Sequence, residues 1–236
     1  MKKISYFLYR FLSLPYVSKQ AAYWALPLNL LAVLVLGIGF YWGLFVAPLD
    51  YQQGDMFRVI YIHVPAAILS LFIYTLIGLS SICYLVWKTK IHDRIAQHSA
   101  PIGLSFTLIT LITGAIWGKP MWGAYWVWDA RLTAELILGI LYLGYIGLNQ
   151  ALARHPHRAQ LLAYLGILGL LDVPIVHYSV KWWYTLHQGQ SLSLNLAESA
   201  IHSSMLKPLL ICILGFFIFY GANLSLRLRP KNFDDD

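Results

Sequence analysis

Apolar residues in this chain neither alternate nor gather into one helical stripe; they come in long unbroken blocks parted by short polar, charged or aromatic connections. A helix rises about 1.5 Å per residue, so about 20 apolar residues cross a hydrocarbon core of about 30 Å. Six blocks reach that length, at 24–46, 60–87, 100–116, 132–152, 161–180 and 204–226. The pattern predicts an all-α polytopic membrane protein with six transmembrane helices, in one integral-membrane domain over 1–236. The opening segment, 1–22, follows another pattern: Lys2, Lys3, Arg10 and Lys19 are mixed with Tyr6, Phe7, Tyr9 and Phe11. Its short apolar run is interrupted by Arg10 and Pro15, which suits an interfacial amphipathic segment better than a signal peptide.

Composition agrees with the pattern. Of 236 residues, 59% are hydrophobic and 11% charged, against roughly 25% charged in a soluble domain, which argues against a soluble enzyme. The net charge of +7 comes from 17 Lys and Arg against 10 Asp and Glu. Lys2, Lys3, Arg10, Lys19, Lys88, Lys90, Arg94, Arg154, Arg158, Arg227, Arg229 and Lys231 all fall on the side of the two termini. Arg58, Lys119, Arg131, Lys181 and Lys207 fall on the other. The positive-inside rule then puts both termini in the cytoplasm. The basic balance is an orientation signal addressed to the lipid bilayer, and no nucleic acid is implied.

Cys83 and Cys212 both lie inside expected spans, where a thiol behaves as a small apolar group. No Cys-x-x-Cys-His occurs, so the motif for covalent c-type haem attachment is absent. Of eight histidines, His92, His98, His155 and His157 share the basic face and read as solvated surface residues. His63, His177, His187 and His202 lie on the other side. His63 is expected to project just above the apolar core of its span, His187 occupies a long polar loop, and His177 follows Asp172 and Pro174. Ordinary interfacial histidines would explain all four, and spacing alone selects no metal-ligand pair.

The third connection carries the densest chemistry. Four of the nine Trp, namely Trp117, Trp122, Trp126 and Trp128, fall in a segment read as a Trp-rich loop over 117–131 between the third and fourth spans. An aromatic belt at the headgroups accounts for Trp24, Trp42 and Trp87. It accounts poorly for four Trp and Tyr125 in one short connection broken by Gly118, Pro120 and Gly123. Such a loop is expected to offer a broad, flat apolar surface, with Lys119 and Arg131 beside it for anionic groups. Trp182 and Trp183 could extend the same platform. Asp129 suits both a helix N-cap and a direct ligand contact, Arg131 and Glu135 are spaced to pair across one helical turn, and Asp172 is an acid well inside a span.

The run Trp122-Gly123-Ala124-Tyr125-Trp126-Val127-Trp128-Asp129 resembles the Trp-Gly-x-x-Trp-x-Trp-Asp signature of the WWD-domain haem-handling family of cytochrome c maturation. The resemblance covers nearly the whole chain, including a histidine before the tryptophan segment and another in Trp182-Trp183-Tyr184-Thr185-Leu186-His187-Gln188-Gly189 after it. It implies haem b, held transiently and noncovalently on the periplasmic side of a bacterial cytoplasmic (inner) membrane. His63 and His187 would be the axial ligands of the iron. The tryptophan loop, with Trp117, Trp122, Gly123, Trp126, Trp128 and Asp129, would form the platform, to which Trp182 and Trp183 could add; Lys119, Arg131 and Lys181 are candidates for propionate contacts by their charge and side alone. It further implies delivery to a periplasmic haem chaperone and assembly with an ATP-binding subunit, a second membrane subunit and a small single-span subunit. The chain has no Gly-x-x-x-x-Gly-Lys-[Ser/Thr] loop, so ATP hydrolysis is expected in a partner. A b-type electron-transfer membrane cytochrome is a competing reading, and usually places its histidines within the span at matching depth. A haem permease is another, and asks for intramembrane charge, which Asp172 alone offers. No nucleophile with an adjacent base supports an enzyme.

Overall fold

A computed structural model describes residues 13–183, 185 and 201–230. The described residues are all-helical apart from turns and one isolated bridge between Asp50 and Gly54. Among the described residues, seven α-helices build the bundle: α1 (Leu14–Tyr41), α2 (Ile60–Trp87), α3 (Lys90–Trp122), α4 (Ala130–Ala151), α5 (Arg158–Leu170), α6 (Asp172–Trp182) and α7 (Ser203–Leu228). The α5 and α6 pieces together make one span, giving six that are long and apolar enough to cross a membrane. An even number of crossings brings the start of α1 and the end of α7 to the same end of the bundle.

The central helix is α2, which packs against α3, α5 and α7. Leu69, Ile73, Tyr74 and Ile77 of α2 are fully buried, with Phe106 of α3, Leu138 and Tyr142 of α4 and Phe216 of α7 around them. Small residues set how closely the helices approach, because lipid tails supply no hydrophobic drive between spans. A Cβ at Gly169 would lie 2.0 Å from the Tyr74 hydroxyl, and one at Gly166 would lie 2.5 Å from Ser81 Oγ. On the other side α1 packs along α7, with Gly39 against Cys212 and Gly215 against Leu36.

Three helix ends differ from the pattern of apolar blocks. The expected interfacial segment 1–22 is part of the first span from Leu14 onward, while 1–12 lie outside the described residues. The third span, expected over 100–116, runs from Lys90 to Trp122. At its start Asp93 accepts an ion pair from Arg158 at 2.8 Å, and Arg158 also donates to Asn149, joining α3, α4 and α5 at the end bearing the termini. Its far end takes in Trp117 to Trp122, the first residues expected in the loop. The fifth span breaks at Leu171, since Pro174 has no N–H for the Leu170 carbonyl. Between α1 and α2 a π-helical turn (Trp42–Val46) is followed by a 3-10 turn (Asp55–Val59). Arg58 donates to the carbonyls of Gly43, Leu44 and Ala47 and pairs with Asp55, satisfying acceptors left over at a helix end.

Candidate functional site

At the end opposite the termini, an open-sided cavity of about 170 Å³ lies between α2, α3, α4 and α6. His63, Thr110, Gly114, Trp117, Trp122, Arg131 and Glu135 are among its lining residues, and Gln53 reaches it from the α1–α2 connection. The lining is mainly apolar with a few convergent polar groups.

His63 stands one turn into α2 and is only 7% exposed. Rather than projecting above the span, its ring is held by α3. Nδ1 lies 2.9 Å from Thr113 Oγ1, and the Trp117 ring meets it edge-on at 5.7 Å between centroids and 84°. A Cβ at Gly114 would come within 3.1 Å of His63 Cε1, so the absent side chain there makes room for the imidazole. Trp117 also packs on Phe57, and its indole N–H donates to Gln53 Oε1 at 2.8 Å. It is a buried wall of the cavity, not part of a loop surface.

The irregular connection is shorter than the sequence suggested. Gly123 ends α3 in the left-handed region at φ 78°, and Asp129 opens α4. Lys119 Nζ donates to Gly123 O at 2.9 Å and lies over the Tyr125 ring, which ties the bend down. Trp122 folds back over Gly118, where a Cβ would sit 2.9 Å from its ring. Trp126 and Trp128 meet at 80°, so these rings are crossed and do not form the expected flat surface. Trp128 is 77% exposed. Trp182 stacks on Tyr178 and meets Trp183 edge-on, but neither makes a ring contact with Trp126 or Trp128 among the described residues. Lys181 lies over the Tyr178 ring.

Asp129 Oδ1 accepts the Leu132 N–H at 2.8 Å, which is the N-cap role. Its Oδ2, like Trp126 Nε1, is buried with no hydrogen-bond partner among the described residues. Neither residue is among those lining the cavity. Arg131 and Glu135 do not form the expected ion pair: no such contact within 4.0 Å exists among the described residues. Glu135 instead accepts from Ser70 Oγ at 2.9 Å, and Arg131 remains on the cavity wall. No hydrogen bond joins Asp172 to His177 among the described residues; Asp172 Oδ2 is buried without a partner, and His177 packs on Tyr178. His202 caps α7 through Nδ1. His187 lies outside the described residues.

The structure thus brings His63, Trp117, Trp122 and Arg131 to one cavity. Sequence reading missed Gln53, Thr113 and Gly114, and took Glu135 only as an ion-pair partner of Arg131. A face of small and polar residues on α3, running through Thr110, Thr113, Gly114 and Gly118 at helical spacing, was the available sign.

Residues 8–234 match the family model described as Heme exporter protein C. The chain is 48% identical over 206 residues to Heme exporter protein C of Haemophilus influenzae, covering 87% of this chain and 83% of that protein. Against Heme exporter protein C of Escherichia coli K12 it is 42% identical over 219 residues, covering 92% and 88%. A mitochondrial protein of Marchantia polymorpha, provisionally named for ccmC-like cytochrome c biosynthesis, is 44% identical over 189 residues, covering 80% and 79%.

Proposed function

This chain belongs to the Heme exporter protein C family, and from that premise we propose that it handles haem for cytochrome c maturation as a multi-pass protein of the bacterial inner membrane. It holds haem b noncovalently and transiently at the periplasmic end of the bundle and releases it to a periplasmic haem chaperone. The observation that carries this reading is one cavity lined by a buried imidazole, a guanidinium and two indoles, those of His63, Arg131, Trp117 and Trp122. A flat macrocycle with a metal at its centre and carboxylates on its edge asks for this set: a nitrogen donor, apolar walls and a cation. His63 and His187 are the axial ligands, Arg131 meets a propionate, and Trp126, Trp128 and Gly123 form the rim with Asp129. Lys119, Trp182 and Trp183 flank it. The chain itself performs no hydrolysis; an ATP-binding subunit, a second membrane subunit and a small single-span subunit complete the assembly, as the family resemblance implies.

The visible spectrum of the detergent-purified chain, oxidised and then reduced, tests the reading. A low-spin haem spectrum is expected, shifted or lost in His63→Ala and in His187→Ala. Unchanged spectra in both variants would reject the ligand pair. A chain that takes up no haem when supplied with excess would turn the aromatic segment into a docking surface only.

A further inference from the structure

The Thr113 hydroxyl has one proton and two acceptor lone pairs. It sits 2.6 Å from Ile109 O and 3.3 Å from Thr110 O, both carbonyls of its own helix. A carbonyl cannot donate, so the hydroxyl proton goes to the helix backbone. Toward His63 Nδ1, at 2.9 Å, Thr113 Oγ1 is therefore the acceptor and the imidazole carries its proton on Nδ1. In the neutral ring that leaves the lone pair on Nε2, the tautomer a metal ligand needs. The rest of the grip comes from the next turn of the same helix, with Gly114 beneath Cε1 and Trp117 edge-on to the ring.

We propose that Thr113 is a positioning residue, whose hydroxyl oxygen fixes His63 as the Nδ1–H tautomer and so presents Nε2 to iron. Threonines in helices commonly bond back to the backbone with no further role. Here that back-bond is what determines the direction of the second hydrogen bond. The inference rests on the reading of His63 as an axial ligand, and it adds a residue that no haem-contacting role would identify.

The test uses the full chain in three forms, wild type, Thr113→Val and Thr113→Ser, beside His63→Ala. In haem-free protein labelled with ¹⁵N-histidine, the His63 signals are recognised by their loss in His63→Ala. Wild type and Thr113→Ser should show a pyrrole-type Nδ1 and a pyridine-type Nε2, and Thr113→Val a mixture of tautomers. With haem supplied, Thr113→Val should lose roughly 10–100-fold in affinity. Its reduction midpoint should move to more positive potential, because the ligand is a poorer donor to ferric iron, and Thr113→Ser should restore both. Identical tautomers and potentials in Val and wild type would overturn the proposal. Should Thr113→Val fail to fold, Thr113→Ala is read in its place. A His63→Ala chain with an unaltered haem spectrum would remove the ligand reading, while the haem-free measurement would still decide whether Thr113 sets the tautomer.

Discussion

Trp128 is mostly exposed beside a half-buried Trp126 whose indole N–H has no partner among the described residues. Trp24 and Trp87 are also exposed, at 50% and 63%, but Trp24 lies within α1, Trp87 ends α2, and neither lines the cavity. Trp126→Ala and Trp128→Ala should therefore weaken haem retention more than Trp24→Ala or Trp87→Ala. Equal losses, measured by haem titration, would make all four plain interfacial anchors. Asp129 separates two roles with two substitutions. Asn keeps the N-cap, whereas Ala removes it at a cost of about 1 kcal/mol. If Asp129 serves haem as well as α4, Asp129→Asn should lose haem affinity with an unchanged melting temperature. Residues with loud chemistry, His63 and the tryptophans, were legible in the sequence. Thr113 was not, because a threonine in an apolar helix is ordinary until its neighbour across the bundle is known.

At the scale of the element, hydropathy located all six spans but not their ends. Pro120 and Gly118 suggested an early stop to the third helix. Yet Trp117 wedged against Phe57 and His63, and Trp122 folded on Gly118, hold the chain helical to Trp122. Tertiary packing outweighs weak local propensity here. Its extension at the end bearing the termini escaped for a related reason: the ion pair of Asp93 with Arg158 joins two segments outside the apolar blocks, and hydropathy alone does not show it. The contact between α1 and α7 depends on small side chains, with Gly215 Cβ space already within 2.7 Å of Leu36. Gly215→Leu is expected to push α1 outward and lower the melting temperature. Gly221→Leu, whose Cβ meets nothing within 4 Å, serves as its control.

For the whole molecule, the charge bias predicts which end faces the cytoplasm, and labelling can check it. In a chain with Cys83 and Cys212 replaced by Ser, Tyr125→Cys should react with an impermeant thiol reagent added to intact spheroplasts. Arg154→Cys should react only after permeabilisation; the opposite pattern would invert the topology. The cavity's walls come from separate spans, and no single apolar block could reveal that it exists. Arg158 gives that architecture a mechanical meaning. It rivets α3, α4 and α5 together at the end away from the cavity, with Asp93 lying about 36 Å along α3 from Trp117. Helices pinned at one end behave as levers, so a small tilt about the rivet becomes a wider gap at the free tips. Arg158→Met, far from any ligand, is therefore expected to quicken haem loss in a stopped-flow chase with a haem scavenger, the jaws of a tool slackening when its pivot is worn.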